Sequence, residues 1–320
     1  MRINSICQKF KNMIKRSILI AAIISLSMIT VAENKDNDEN VVDRIKNMKQ
    51  IVDYKLTDGV DEFDTVKFGR YSQEKDQYGI YNKELVEWIL VYRDDVNAVL
   101  MSKYILDCKM FNEEPTTTRF DESVHIKNIN KYSCDWKYST LRKWMNDYMY
   151  NELFNDKEKK LINTAYLDNT YVADYEHYTV HGNNTEDKLF LLNENEMFYF
   201  FGKVYKDDKN VNNENNKIKV TRGTSYAINS KNLLTNDGNS NYFLRPNGDM
   251  DDYVPAITND GSFKWKNHVN GEKNGIRPCI CIKLKETNDM ARINISKELR
   301  HDEKEVSENV VYYEKVTMGK

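Results

Sequence analysis

Four prolines and twelve glycines are scattered through 320 residues, with no run of either. That excludes a collagen-like or Pro/Gly-rich linker composition. No glycine-rich loop of the kind that cradles phosphates occurs. Five cysteines in so long a chain exclude a small disulfide-stapled scaffold. An excess of one charge is also missing. Lys and Arg number 47 against 50 Asp and Glu, for a net charge of -3. Nucleic acid would need a basic face, so it is excluded as a partner. Histidines number five, and no spacing of Ser, His and Asp assembles a nucleophile elbow or triad. What the chain does have is tyrosine, 21 copies against 12 Phe and 4 Trp. Tyr combines apolar area with a hydroxyl, which suits half-buried sheet positions and binding surfaces alike.

Only one long apolar run is present, from Ile18 to Val31. Lys9, Lys11, Lys15 and Arg16 precede it, and Thr30-Val31-Ala32 offers small residues for a cut after Ala32. This is the pattern of a secretory signal. An uncleaved membrane anchor is the alternative, although the run is shorter than the roughly 20 residues a spanning helix prefers. No Cys follows the run, and Cys7 lies too early for a lipoprotein cut. Either way the body is expected to be secreted or at the cell surface, with membrane contact only through an uncleaved signal. Beyond the signal remain Cys108, Cys134, Cys279 and Cys281, which allow three pairings. Cys279 and Cys281 share one face of a strand, so each would seek a partner elsewhere. Reduced, buried thiols acting as small apolar residues are the other reading.

Four regions follow: a signal peptide over 1–32, a polar spacer with a short helix over 33–61, one domain over 62–286 and a charged tail over 287–320. In the spacer, Val41, Val42, Ile45, Met48 and Ile51-Val52 recur at helical spacing. Strands are expected at Thr65 to Gly69, Val86 to Tyr92 and Ala98 to Leu106, the last two joined by Arg93-Asp94-Asp95. Ser139 caps the clearest helix, with Leu141, Trp144, Met145, Tyr148 and Met149 as one apolar stripe. Asn155 and Asn193 cap two further helical segments. Short strands are expected at Lys188 to Leu192, Tyr242 to Arg245, Tyr253 to Thr258 and Ile276 to Leu284, and a surface loop at Lys206 to Asn216. The class is α+β, with many short antiparallel strands, two helices on one side and long loops.

Several phrases, in order, carry a resemblance. They are Phe68-Gly69-Arg70-Tyr71-Ser72-Gln73, Val86 to Val91, Ala98 to Lys103, Leu106-Asp107, Phe111-Asn112, Trp136 and Ser139 to Asn146. Asp187 to Leu192, Thr224 to Ala227, Tyr242 to Pro246 and Gly275 to Pro278 complete the set. Together they resemble an exported bacterial domain-of-unknown-function family, of the DUF6273 type, found in Gram-positive anaerobes. Its core is related to C-type lectins and formylglycine-generating enzymes. The resemblance implies a C-type-lectin-like fold and an extracellular location. The chain departs from the pattern at Tyr242 and Phe243, where the family usually has Trp, and at Cys279 and Cys281, where it usually has small residues.

Formylglycine formation is rejected, because that chemistry needs a cysteine pair before the closing Gly-x-Arg phrase. Here Cys279 and Cys281 come after Gly275-Ile276-Arg277. His177 and His181 would share a helix face, but Tyr178-Thr179-Val180 favours a strand. There, residues four apart are over about 10 Å from one another. Asn247, Asp249, Asp251 and Asp252 form an oxygen-rich loop that can hold calcium, or else a solvated acidic turn. The sugar-binding phrases of C-type lectins are absent, and the EF-hand pattern fails because Asp252 stands where Gly is needed. Arg245 and Arg277, each beside a Pro, either lock the fold or present a fork to a ligand.

The function expected is a non-catalytic extracellular domain that binds a cell-surface glycan or a protein through loops of its second half. Tyr242, Arg245, Asn247, Tyr253, Phe263 and Trp265 are the ligand-binding candidates, with Phe243 and His268 nearby; Asp249, Asp251 and Asp252 are the calcium candidates. One alternative is an exported oxidative or hydrolytic enzyme using Cys279/Cys281 or His177/His181. The other is a structural surface protein without a ligand.

Overall fold

A computed structural model of the chain describes residues 41–55, 57–114, 134–169, 180–201, 217–249, 253–271 and 273–292. The signal segment expected over 1–32, the loop Lys206 to Asn216 and most of the charged tail lie outside the described residues. Among the described residues, no helix is long and apolar enough to cross a membrane. Two compact units divide the chain, up to Lys46 and from Asn47. Residues 41–47 are helical, as the spacing of Val41, Val42 and Ile45 predicts.

The unit from Asn47 is a mixed α+β body. Short 3₁₀ turns at Ile51–Asp53 and Val60–Glu62 come first, and Ile51, Val60 and Phe63 are buried. So the stretch read as the end of a spacer packs into this unit. Then come β1 (Val66–Lys75), β2 (Tyr81–Arg93), β3 (Asn97–Ser102) and β4 (Asp107–Lys109). A helical rod, α1, follows in three pieces: Thr140–Trp144, a π-helical turn Met145–Met149 and Tyr150–Leu153. After α2 (Asp156–Leu161) run β5 (Ile162–Asn163), β6 (Ala165–Leu167), β7 (Val180–His181) and β8 (Thr185–Asp187). Helices α3 (Glu194–Phe200) and α4 (Ser225–Asn229) precede β9 (Tyr242–Phe243), β10 (Gly248–Asp249), β11 (Tyr253–Ile257) and β12 (Phe263–His268). The last strands are β13 (Asn274–Ile276), β14 (Cys279–Lys283) and β15 (Ala291–Arg292).

The first sheet has the order β1-β2-β3-β14-β5, and the second β12-β11-β9-β13-β4. A smaller sheet, β15-β6-β8, and the pair β10-β7 complete the set among the described residues. The expected β2–β3 hairpin forms, because the Asp94 carboxylate accepts from the backbone N–H of Val96 and of Asn97, both at 2.7 Å. The expected single strand from Ile276 to Leu284 is instead two strands in two sheets. Pro278 cannot donate to a ladder, so the chain crosses over there. Arg277 is buried at the crossing. Its Nε donates to the Ser102 carbonyl at 2.9 Å and its guanidinium to the Tyr242 hydroxyl at 3.2 Å, which ties β3 to β9. Likewise Lys188 to Leu192 is not a strand; only Phe190 bridges, to Cys279.

Ser139 caps α1 as its sequence predicts, accepting from the Arg142 N–H at 3.1 Å. Leu141, Met145 and Met149 are buried, but Trp144 is half-buried and Tyr148 is 54% exposed. The expected five-residue stripe is therefore two rows, each at a spacing of four. The π turn sets the Leu141 row against the core and leaves the Trp144 row open. Asn155 and Asn193 both form capping boxes, with Glu158 and Glu196. Gly69 has a φ of 68°, and a Cβ there would lie 2.5 Å from Phe154 Cε1. Glycine is required at that bulge in β1, because the chain end of α1 presses against it.

Candidate functional site

The residues singled out in the second half of the chain separate in the structure. Tyr242, Arg245 and Asn247 are interior residues, together with Phe243. Tyr242 donates its hydroxyl hydrogen to the Lys219 carbonyl at 2.9 Å. Arg245 is 0% exposed and spends its fork inside the protein: on the Leu191 carbonyl at 3.1 Å, on Asn169 and on the Glu196 carboxylate at 2.6 Å. Of the two roles open to Arg245 and Arg277, the structure assigns fold-locking. A ligand would have to displace core packing to reach either of them or Tyr242. The Asn247 amide is buried as well, and neither of its polar atoms has a hydrogen-bond partner among the described residues.

Tyr253, Phe263 and Trp265 stay half-buried on the β11–β12 hairpin, but they do not form one surface. The Tyr253 and His268 rings pack 4.6 Å apart. Phe263 and Trp265 stack at 5.7 Å on the alternate face of β12, with the Lys219 ammonium 4.7 Å from the Phe263 ring. Asp249 lies in β10, opposite Val180, and Asp251, Asp252 and His177 fall outside the described residues. His181 pairs in β7 with Gly248. Among the described residues, no three His, Cys, Asp or Glu side chains gather to hold a metal ion.

Cys108, Cys134, Cys279 and Cys281 are all buried, and among the described residues no disulfide joins Cys108, Cys279 or Cys281. Burial pushes the thiols of Cys108 and Cys281 up to about 12, and that of Cys279 further still. They are protonated at neutral pH and are not nucleophiles. For Cys108, Cys279 and Cys281 this fits the reading as small apolar residues.

A different cluster does form, from four separate segments. In β1, Tyr71 is buried and donates its hydroxyl hydrogen to Asp107 Oδ2 in β4 at 2.6 Å. Asp107 Oδ1 accepts from the Cys108 N–H at 2.7 Å. Only 1% of Asp107 is exposed. Burial raises its carboxyl above its ordinary value, and the Tyr71 hydroxyl and the Lys231 ammonium partly offset that. The Tyr71 phenol is pushed far up, first by burial and then by the Asp107 charge. Over this pair lies Tyr226 of α4, its ring edge-on to Tyr71 at 5.9 Å and to Tyr81 of β2 at 5.3 Å. The Tyr81 hydroxyl donates to the Ser225 carbonyl at 3.2 Å. Tyr148 of α1 is, once ionised, among the lesser causes that raise the Tyr71 phenol and the Lys231 ammonium, which puts it in their neighbourhood. Trp144 stacks on Tyr148 at 6.0 Å.

Ammonium groups sit over these rings: Lys75 over Tyr81 at 5.1 Å, Lys231 over Tyr226 at 5.2 Å and Lys109 over Trp144 at 4.9 Å. We call this set of two ring pairs, Tyr81–Tyr226 and Trp144–Tyr148, with ammoniums over their rings and the buried Tyr71–Asp107 pair next to Tyr226, the tyrosine shelf. Asp107 has both oxygens engaged, by the Tyr71 hydroxyl and the Cys108 N–H, and among the described residues no second carboxylate bonds to it. The shelf offers ring faces, hydroxyls and ammoniums. Reasoning from the sequence missed it because its parts are up to 160 residues apart. One signal was there. Tyr71, Asp107, Trp144 and Tyr226 each sit in a phrase that carries the family resemblance, and the structure brings those four phrases together.

The chain belongs to the family described as a domain of unknown function, DUF6273. The match covers residues 95–284. No curated protein and no solved structure matches. The DUF6273 region contains β3, α1, α4 and all of Asp107, Lys109, Trp144, Tyr148, Tyr226 and Lys231. Tyr71, Lys75 and Tyr81 precede it, on the β1–β2 hairpin that pairs with its first strand. The shelf is thus built by the DUF6273 region and the hairpin together. Beyond the region, β15 adds to β6 in parallel, so the segment read as the start of a loose tail is partly built in.

Proposed function

We propose that this protein is a non-catalytic binding domain, exported by its amino-terminal segment, that holds a cell-surface glycan on the tyrosine shelf. The observation that carries this reading is the set of rings: Tyr81 and Tyr226 edge to face, and Trp144 stacked on Tyr148 in α1. Aromatic faces take the C–H faces of sugar rings, and hydroxyl and ammonium groups at their edges take the sugar hydroxyls. Tyr71 and Asp107 support the shelf from below by fixing β1 against β4. A C-type-lectin-like architecture belongs to the same proposal. The order of the resembling phrases and a body of short, mainly antiparallel strands with helices between them support it. Calcium is not needed for a site of rings, hydroxyls and lysines. The buried, protonated cysteines speak against the enzyme alternative that relies on them.

Binding of the full-length exported protein to a panel of cell-wall and host glycans, with calcium and then with chelator, tests this. Tyr226→Ala and Tyr148→Ala should each weaken the binding by about tenfold, the scale of one good aromatic contact. Trp265→Ala, on the β11–β12 hairpin, should leave it intact. Loss with Trp265→Ala but not with the other two, or no glycan bound at all, would overturn the proposal.

A further inference from the structure

The shelf carries charge as well as rings. Three of the carboxylates around it are engaged by neighbouring groups. Asp107 is buried, with Tyr71 and the Cys108 N–H on its oxygens. Glu113 pairs with Lys109 at 2.6 Å. Glu74 accepts from the Ser225 N–H at 3.2 Å, at the start of α4. The ammoniums of Lys75 and Lys231 differ. Neither has a carboxylate within salt-bridge distance among the described residues. Each is held instead over one ring of the Tyr81–Tyr226 pair. Two cations with no carboxylate at salt-bridge distance thus each lie over one ring of an edge-to-face pair, and Lys231 also feels the buried Asp107 charge. Lys75 is exposed and Lys231 half-buried, so both can be reached from solvent.

We propose that the ligand of the shelf is an anionic glycan, one whose sugar or polyol units carry carboxylate or phosphate groups, with the negative group between Lys75 and Lys231. This rests on the shelf being a glycan site and adds the class of glycan. A neutral sugar would gain only the ring contacts, and it would have to slide beneath ammoniums already seated there. An anionic unit uses both features. Its charge draws the ammoniums off the ring faces, and its C–H face takes their place. Partly exposed pairs of this kind are screened by salt, so the preference should be salt-sensitive.

The test is titration of the full-length exported protein with three soluble polymers: polygalacturonate, poly(glycerol phosphate) and neutral dextran. At least one anionic polymer should bind about tenfold or more tightly than dextran, and weaken as NaCl is raised. The two anionic arms tell carboxylate from phosphate. Lys75→Gln with Lys231→Gln should remove the preference, and Lys75→Arg with Lys231→Arg should retain it. Both pairs should melt at the temperature of the unaltered protein. Equal binding of dextran and the anionic polymers, unchanged by the double Gln variant, would sink the anionic reading and leave the shelf as a neutral-glycan site. Absence of binding to any of the three, or to the wider panel, would take down both.

Discussion

Replacing Arg245 with Met separates a fold-locking arginine from a ligand fork. The Arg245 side chain is 0% exposed and its Glu196 partner 9%. Arg245→Met breaks the 2.6 Å ion pair and frees the Leu191 carbonyl and the Asn169 amide oxygen. The Glu196 carboxylate keeps one donor, the Asn193 N–H at 2.8 Å. Its charge is left buried without a counterion. Breaking a buried pair from one side costs about 3–5 kcal/mol. For a domain of this size each kcal/mol lowers Tm by about 2–4 °C, so the fall should lie between about 6 and 20 °C. Thermal unfolding followed by circular dichroism reads it, with urea unfolding as a second route to the free energy. Removing both charges, Arg245→Met with Glu196→Met, should recover most of the loss, because the desolvation cost goes with the charges. Arg245→Lys should recover little, since one ammonium cannot reach three acceptors in a plane. A fall below about 3 °C for Arg245→Met, with loss of glycan binding, would refute the argument and restore Arg245 as a ligand residue.

Two further predictions concern the backbone and the thiols. Gly69→Ala should lose about 2 kcal/mol or more in urea unfolding, because a φ of 68° alone costs an L-residue about 1–2 kcal/mol and the new Cβ would also meet Phe154 at 2.5 Å. An unchanged midpoint would show that α1 does not press on that bulge. Cys108, Cys134, Cys279 and Cys281 should fail to react with a thiol reagent at pH 8 while folded, and all four should react in denaturant. A fifth thiol in denaturant would be Cys7 and would show that the amino-terminal segment is retained.

Local chemistry was legible in the sequence, and the joining of distant parts was not. Ser139, Asn155 and Asn193 act as caps because a side-chain oxygen reaches back to N–H groups two or three residues on, and that depends on neighbours alone. The β2–β3 turn is local in the same way. The strand from Ile276 to Leu284 was misread because its apolar pattern runs on through Arg277-Pro278, although Pro278 ends one ladder and the next strand joins another sheet. Trp144 and Tyr148 were read into one apolar stripe because ideal helical spacing puts them beside Leu141 and Met145. The π turn of α1, which opens them to solvent, has no signature that spacing can reveal. Arg245 was suspected of facing a ligand because its partner Glu196 lies 49 residues away. The tyrosine shelf failed to show for the same reason, since β1, β4, α1 and α4 meet only once both sheets are closed.

Tyr71→Phe tests whether the foundation of the shelf is electrostatic. The variant keeps the ring and removes the 2.6 Å bond to Asp107, leaving that carboxylate only the Cys108 N–H. Asp107 has its carboxyl raised by burial in the folded state, so between the unfolded value and that raised one the fold binds more protons than the unfolded chain. Stability from this group is therefore complete below the unfolded value and is lost as pH rises through the folded one. The Tyr71 hydroxyl favours the charged form and limits that loss. Its removal should cost about 1–3 kcal/mol at neutral pH, the range for a buried group deprived of a partner. The cost should shrink as pH is lowered and the carboxyl takes up its proton, because a protonated carboxyl makes little demand on a donor. Melting temperatures of both proteins from pH 4 to pH 8 decide it. A gap that is the same at every pH would mean that Tyr71 matters for packing alone and that Asp107 does not organise the junction of β1 with β4.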